Sequence, residues 1–186
     1  MPSSAKLRTL LIASVLGLAG GGTALAKEYP IGKHVVQSGL EVAAVYLQPI
    51  EMEPAGMMRP AADSDVHLEA DIKATKDNRN GMGDGDWVPA LQVRYELVKL
   101  EGGKDAGKPV SGEMMPMVAN DGPHYGDNVK LDGPGRYRLK LTVAPPGPNS
   151  HFGRHVDKET GVGEWFKPFD VVQEFTFAGT GKKGAY

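Results

Sequence analysis

The chain has 186 residues, with 23 acidic against 21 basic side chains, a formal net charge of −2 and no cysteine. That balance offers no basic surface for nucleic acid. The missing thiols exclude disulfides, a lipidated cysteine, thiolate metal sites and thiol catalysis.

The N-terminal segment reads as a secretory signal. Lys6 and Arg8 form a basic start, residues 10–19 are mostly apolar, and Ala24 and Ala26 place small residues where a signal peptidase reads them. The apolar run is shorter than the roughly 20 residues a membrane span needs. Cleavage after Ala26 is therefore expected, leaving one domain over 27–186, with a net charge of −4, in the periplasm.

Within that domain the apolar period is two. Residues 41–47 alternate as a strand. Residues 66–73 set Val66, Leu68, Ala70 and Ile72 on one face and His67, Glu69, Asp71 and Lys73 on the other. Residues 77–86 are rich in Gly and Asp. An EF-hand loop needs an acid at its third position and Glu at its twelfth, where this chain has Arg79 and Val88, so the segment reads as a long turn. Alternation returns at 91–97, 136–143 and 171–177, and residues 179–186 read as a frayed tail. The chain has 25 Gly and 14 Pro, and no window of helical length carries a 3.6-residue stripe. The expected fold is an all-β antiparallel sandwich of about seven strands.

Three groups of residues carry candidate chemistry. On a strand, residues i and i+2 share a face about 6.5–7 Å apart, so His67 and Glu69 point the same way. Such a pair suits a metal ion, but taken alone it reads first as a solvent-facing polar face, the norm in antiparallel sheets. Met114, Met115 and Met117 surround Pro116, which disfavours a central strand and marks an edge or an exposed turn. Methionine commonly fills core gaps. Here a Gly/Pro-rich turn with Asp121 and His124 follows, and thioether with imidazole suits copper in either oxidation state. His151 and His155 lie on a loop after Pro145, Pro146 and Pro148, while His34 receives no role. The chain has no Gly-x-Ser-x-Gly, no phosphate-cradling loop and no His-Glu-x-x-His, so no catalytic residues are assigned.

Longer stretches carry a family resemblance: Glu28-Tyr-Pro-Ile-Gly, Ala44-Val-Tyr-Leu-Gln-Pro-Ile, Glu53-Pro-Ala-Gly-Met, Asp65-Val-His-Leu-Glu-Ala-Asp, Met115-Pro-Met-Val-Ala-Asn-Asp-Gly-Pro-His-Tyr-Gly and Arg154-His-Val-Asp-Lys-Glu-Thr-Gly-Val-Gly. Across nearly the whole mature chain these resemble the periplasmic FetP-like iron-transport proteins. The resemblance implies an immunoglobulin-like sandwich, a homodimer, a copper site of histidines and a methionine, and a role in iron uptake beside an inner-membrane iron permease. Carried over, the ligands are His67, Met117, His124 and His155, with Glu69 as a carboxylate that shares or shifts the metal and makes iron or manganese tolerable. The resemblance alone selects Met117 over its neighbours and His155 over His151. One position departs: where the family carries a second histidine two residues before His155, this chain has Gly153. The expected protein is thus a metal carrier and not an enzyme. A copper-handling protein without a part in iron transport, or a metal-dependent redox enzyme, are the alternatives.

Overall fold

The computed structural model describes residues 27–181. The expected signal segment and the last five residues of the expected tail lie outside them. Nine antiparallel strands form one continuous sheet: β1 (Tyr29–Pro30), β2 (Val35–Gln37), β3 (Leu40–Leu47), β4 (Val66–Ala74), β5 (Gln92–Glu101), β6 (Lys104–Ala119), β7 (Gly122–Val129), β8 (Gly135–Ala144) and β9 (Phe169–Phe177). Their spatial order is β1-β3-β4-β7-β6-β5-β8-β9, with β2 also paired to β3. β1 and β2 are only two and three residues long, which leaves seven strands of substance, the number usual for such a sandwich; the alternation marked five of them and missed β6 and β7.

One strand folds the sheet into a sandwich. The first part of β6 pairs with β5 as far as Met114, opposite Val93, and its last part, from Met115, pairs with β7. The chain therefore passes from one layer to the other between Met114 and Met115. The β6–β5 register slips at Leu97–Lys99, so Gly107, Lys108 and Pro109 fall in a bulge, where proline and glycine are accommodated. Pro116 lies where β6 pairs on one side only, the edge position that its lack of an N–H requires.

The core lies between the layers. Leu68, Ala70, Ile72 and Tyr125 of one layer face Leu97, Leu139, Leu141 and Phe177 of the other, all buried. Tyr46 of β3 contacts Phe175 and Phe177 of β9 at ring-centroid distances of 5.4 and 6.0 Å. Each such cross-layer pair contributes about 0.5–1.5 kcal/mol beyond its buried area. The apolar faces of β4 and β7 are thereby committed to the core, and their opposite faces remain for the site.

Candidate metal centre

The site forms on the outer face of the layer β4–β7–β6, and strand register decides who meets whom. Cross-strand partners point to the same face. His67 is opposite Asn128, Glu69 opposite Gly126, Met115 opposite Gly126, and Met117 opposite His124. This brings His67 and Glu69 from β4, His124, Gly126 and Asn128 from β7, and Met115 and Met117 of β6 onto one patch.

The patch is not solvated. His67 is 0% exposed, His124 5% and Glu69 6%. The expectation that His67 and Glu69 lie on a solvent-facing strand face, and His124 in an accessible turn, is corrected here. His124 lies within β7, and the connection between β3 and β4 folds over the outer face. Both sides of β4 are covered at His67.

Glu69 Oε1 stands 3.6 Å from His67 Nε2 and 3.3 Å from His124 Nε2. One ligand atom from each of the three lies within 4.8 Å of the others. The contact is not a charge pair on its own terms, because burial works against every charge in it. Burial holds His67 down to about 4, against the opposing effect of its Asn128 bond, and also lowers His124. Burial, then the carboxylates of Glu28, Asp71 and Asp121, push Glu69 up to about 8. At neutral pH the trio is two neutral imidazoles and a protonated carboxyl, which a divalent cation converts to three donors by displacing one proton.

Asn128 fixes the tautomer of His67. Its Nδ2 donates to the carbonyls of Ile50 (2.8 Å) and Arg59 (2.9 Å), so its Oδ1 is the acceptor. That oxygen takes the Ile50 N–H at 3.2 Å and stands 3.0 Å from His67 Nδ1. The proton must therefore sit on Nδ1, leaving Nε2 as a bare lone pair. Nε2 is buried with no hydrogen-bond partner among the described residues. An orphaned buried acceptor, aimed at a second imidazole and a carboxyl, is what a metal ligand with an oriented ring looks like.

Gly126 makes the room. A Cβ there would lie 2.5 Å from His67 Nε2 and 3.2 Å from Met117 Cε. The tips of His67 and Met117 therefore share the space above this glycine. Met117 also lines, with Glu69, His124 and Met115, a pocket of about 950 Å³ between β6 and the β3–β4 connection. The donor set of two imidazoles, a carboxylate and a thioether fits copper through its soft members and iron or manganese through its hard one.

His155 is elsewhere. It lies on the loop between β8 and β9, with its side chain 74% exposed, and it does not line this pocket. Its Nδ1 stands 2.7 Å from Thr160 Oγ1, whose hydroxyl donates to Asp157 Oδ2 at 2.8 Å. The occupied hydroxyl proton makes His155 Nδ1 the donor and leaves its Nε2 facing outward. Arg154 and Gly153 share its shallow surface pocket. His151 is exposed, and His34 is beside Glu41 at 3.4 Å on the surface.

The sequence reading missed Asn128 and Gly126. Both follow His124 at spacings of two, so reading 122–129 as a strand would have placed all three on one face.

The chain has close relatives of known family and fold. A family model described as Fe2+ transport protein matches residues 25–179. A UPF0423 protein of Brucella abortus is 67% identical over 181 residues, covering 96% of this chain and 97% of its own. The 34 kDa membrane antigen of Treponema pallidum is 38% identical over 168 residues, covering 89% of this chain and 80% of its own. Among solved structures, FetP of uropathogenic Escherichia coli is 52% identical with a TM-score of 0.76, covering 82% of this chain and 97% of that one. The copper-reconstituted P19 protein of Campylobacter jejuni is 48% identical with a TM-score of 0.77, covering 84% and 99%. Matches of this extent, running through the strands that carry His67, Glu69 and His124, make the chain a member of the Fe2+ transport protein family.

Proposed function

We propose that this protein is an exported carrier that binds copper and ferrous iron at one site built from His67, Glu69, Met117 and His124. The observation that carries the reading is the meeting of His67 Nε2, His124 Nε2 and a Glu69 oxygen within one coordination sphere's reach. The imidazoles serve either metal, Met117 favours copper, and Glu69 favours iron(II) or manganese(II). The metal is cargo. What the residues do is hold it, choose it and release it. The A-x-A segment before Lys27 supports export to the periplasm. Among the described residues no helix is long and apolar enough to cross a membrane.

In this reading His155 completes the site from a second copy of the chain. Its exposed Nε2, oriented through Thr160 and Asp157, is prepared for a ligand that its own subunit does not offer. A homodimer exchanging these loops presents one imidazole to each pocket. Handing iron to an inner-membrane permease is the transport step that the family implies.

A copper-handling role without iron transport is favoured by one observation, the thioethers lining the pocket. Growth of a deletion strain on scarce iron against scarce copper separates the two. Iron-limited growth loss restored by the native gene supports the carrier reading, and a defect confined to copper supports the other.

A further inference from the structure

The methionines of the pocket do not all belong to the centre just described. The chain has eight methionines, and four of them, Met52, Met57, Met115 and Met117, line this one pocket. Core filling, the usual role of methionine, is met by Met114, which is 4% exposed in the core. The pocket methionines lie on the other face of the sheet. Met57 is 53% exposed and Met52, Met115 and Met117 are half-buried. Two come from the β3–β4 connection and two from the edge of β6, so methionines line the cavity on both walls. The connection is not loosely placed, because Asn128 and the carbonyls of Ile50 and Arg59 staple it on either side of Met52 and Met57.

With no cysteine in the chain, thioether is its only soft donor. Thioethers hold a soft monovalent cation in preference to divalent iron or manganese, whose donors in this pocket include the carboxylates of Glu51, Glu53, Glu69 and Asp121. We propose that Met52, Met57 and Met115 form a separate subsite for copper(I), at the mouth of the pocket. Met117, whose methyl group shares the space above Gly126 with His67, belongs to the deeper site. The subsite receives the ion as copper(I) and leaves it as copper(I). This inference rests on the reading of the pocket as a metal site. It adds that a monovalent soft ion meets sulfur before it meets imidazole.

The test uses silver(I), a redox-inert stand-in for copper(I), in chloride-free buffer with protein carrying 13C-labelled methionine methyl groups. Silver(I) is expected to shift the methyl resonances of Met52, Met57 and Met115. The double variant Met52→Leu/Met57→Leu keeps apolar bulk and removes only sulfur. It should lose at least about tenfold in silver(I) affinity, the lower end of what even an outer-shell partner contributes, with copper(II) affinity unchanged. His124→Ala, titrated in parallel, should lose copper(II) while Met52 and Met57 still respond to silver(I). Still resonances at Met52 and Met57, or a double variant that binds silver(I) as the parent does, overturn the proposal. If His124→Ala leaves copper(II) binding intact, the reading of the deeper site fails instead, and the methyl shifts still decide the subsite. A methyl spectrum of each variant without metal verifies its fold.

Discussion

His67 Nδ1 and Asn128 Oδ1 lie 3.0 Å apart across the β4–β7 ladder, and this one bond ties the ligand to the loop above it. The same amide holds the carbonyls of Ile50 and Arg59. Removing it should free both partners. Asn128→Ala is expected to lower copper(II) affinity by about 10–100-fold, as for other outer-shell partners of metal-binding histidines. It should also make residues 50–59 more sensitive to protease. Calorimetric titration and limited proteolysis read the two effects. Asn128→Asp keeps the acceptor and loses the donors, so it should spare the histidine tautomer while still releasing the loop.

Gly126→Ala places a methyl group into the position now used by His67 and Met117. His67 is fully buried and has nowhere to yield. The expected cost is about 1–3 kcal/mol of stability, the usual range for overpacking, together with weakened copper binding. A melting curve without metal and a copper(II) titration check the pair. A variant that melts and binds like the parent would remove Gly126 from the account.

Metal affinity should rise with pH up to about 8. Glu69 is pushed up to about 8, chiefly by burial, so below that pH the incoming ion must displace its proton. Each pH unit gained in that range should add about tenfold to affinity for a one-proton release. His67, held down to about 4 by burial, adds proton competition only in acid. Calorimetry in buffers of different ionisation enthalpy counts the proton released, and Glu69→Gln should abolish that count near pH 7.

His155→Ala should leave the melting temperature of the protein nearly unchanged, because its side chain is exposed on a loop. It should still weaken copper(II) binding if a second copy supplies it. Mixing His155→Ala with His124→Ala separates the arrangements. Shared sites predict that one intact site reappears per mixed dimer, seen as recovered copper stoichiometry. A single-chain site predicts no recovery.

Much of this was legible before the fold. The alternation in 66–73 identified β4 and put His67 and Glu69 on one face, because strand period leaves no other choice. The burial of that face was not legible. A strand's pattern reports which side chains point together, and it carries no information about a connection, here the one after Leu47, that folds back over them. His124 read as a turn residue because Gly122, Pro123 and Gly126 surround it. Gly126 is small for another reason, the imidazole above it. β6 was hidden the same way. Gly112 sits under the Tyr95 ring, where a Cβ would come within 2.7 Å of its hydroxyl oxygen, and Pro109 and Pro116 occupy a bulge and an edge. Gly126, Gly112 and Pro109 read locally as strand breakers and serve instead as clearance or a bulge, whereas Pro116 stands at the edge that its sequence marked.

Burial also changes what a simple ligand deletion reports. A His67 on a solvent-facing strand face would be replaced by Ala with little cost to the fold. With the ring fully buried, the change opens a cavity and leaves a buried amide oxygen short of a donor. The expected destabilisation is about 2–3 kcal/mol, visible as a lower melting temperature without metal. Loss of copper binding in that variant alone therefore does not locate the site.

Location is read directly by anomalous diffraction at the copper edge from crystals of protein loaded with one equivalent of copper(II), the ion the imidazole site takes. The account predicts a single strong peak per pocket about 2 Å from His67 Nε2 and His124 Nε2, the usual metal–imidazole distance, with Met117 sulfur beside it. A peak bound by surface histidines such as His34 or His151, with His67 and His124 free of metal, would contradict it.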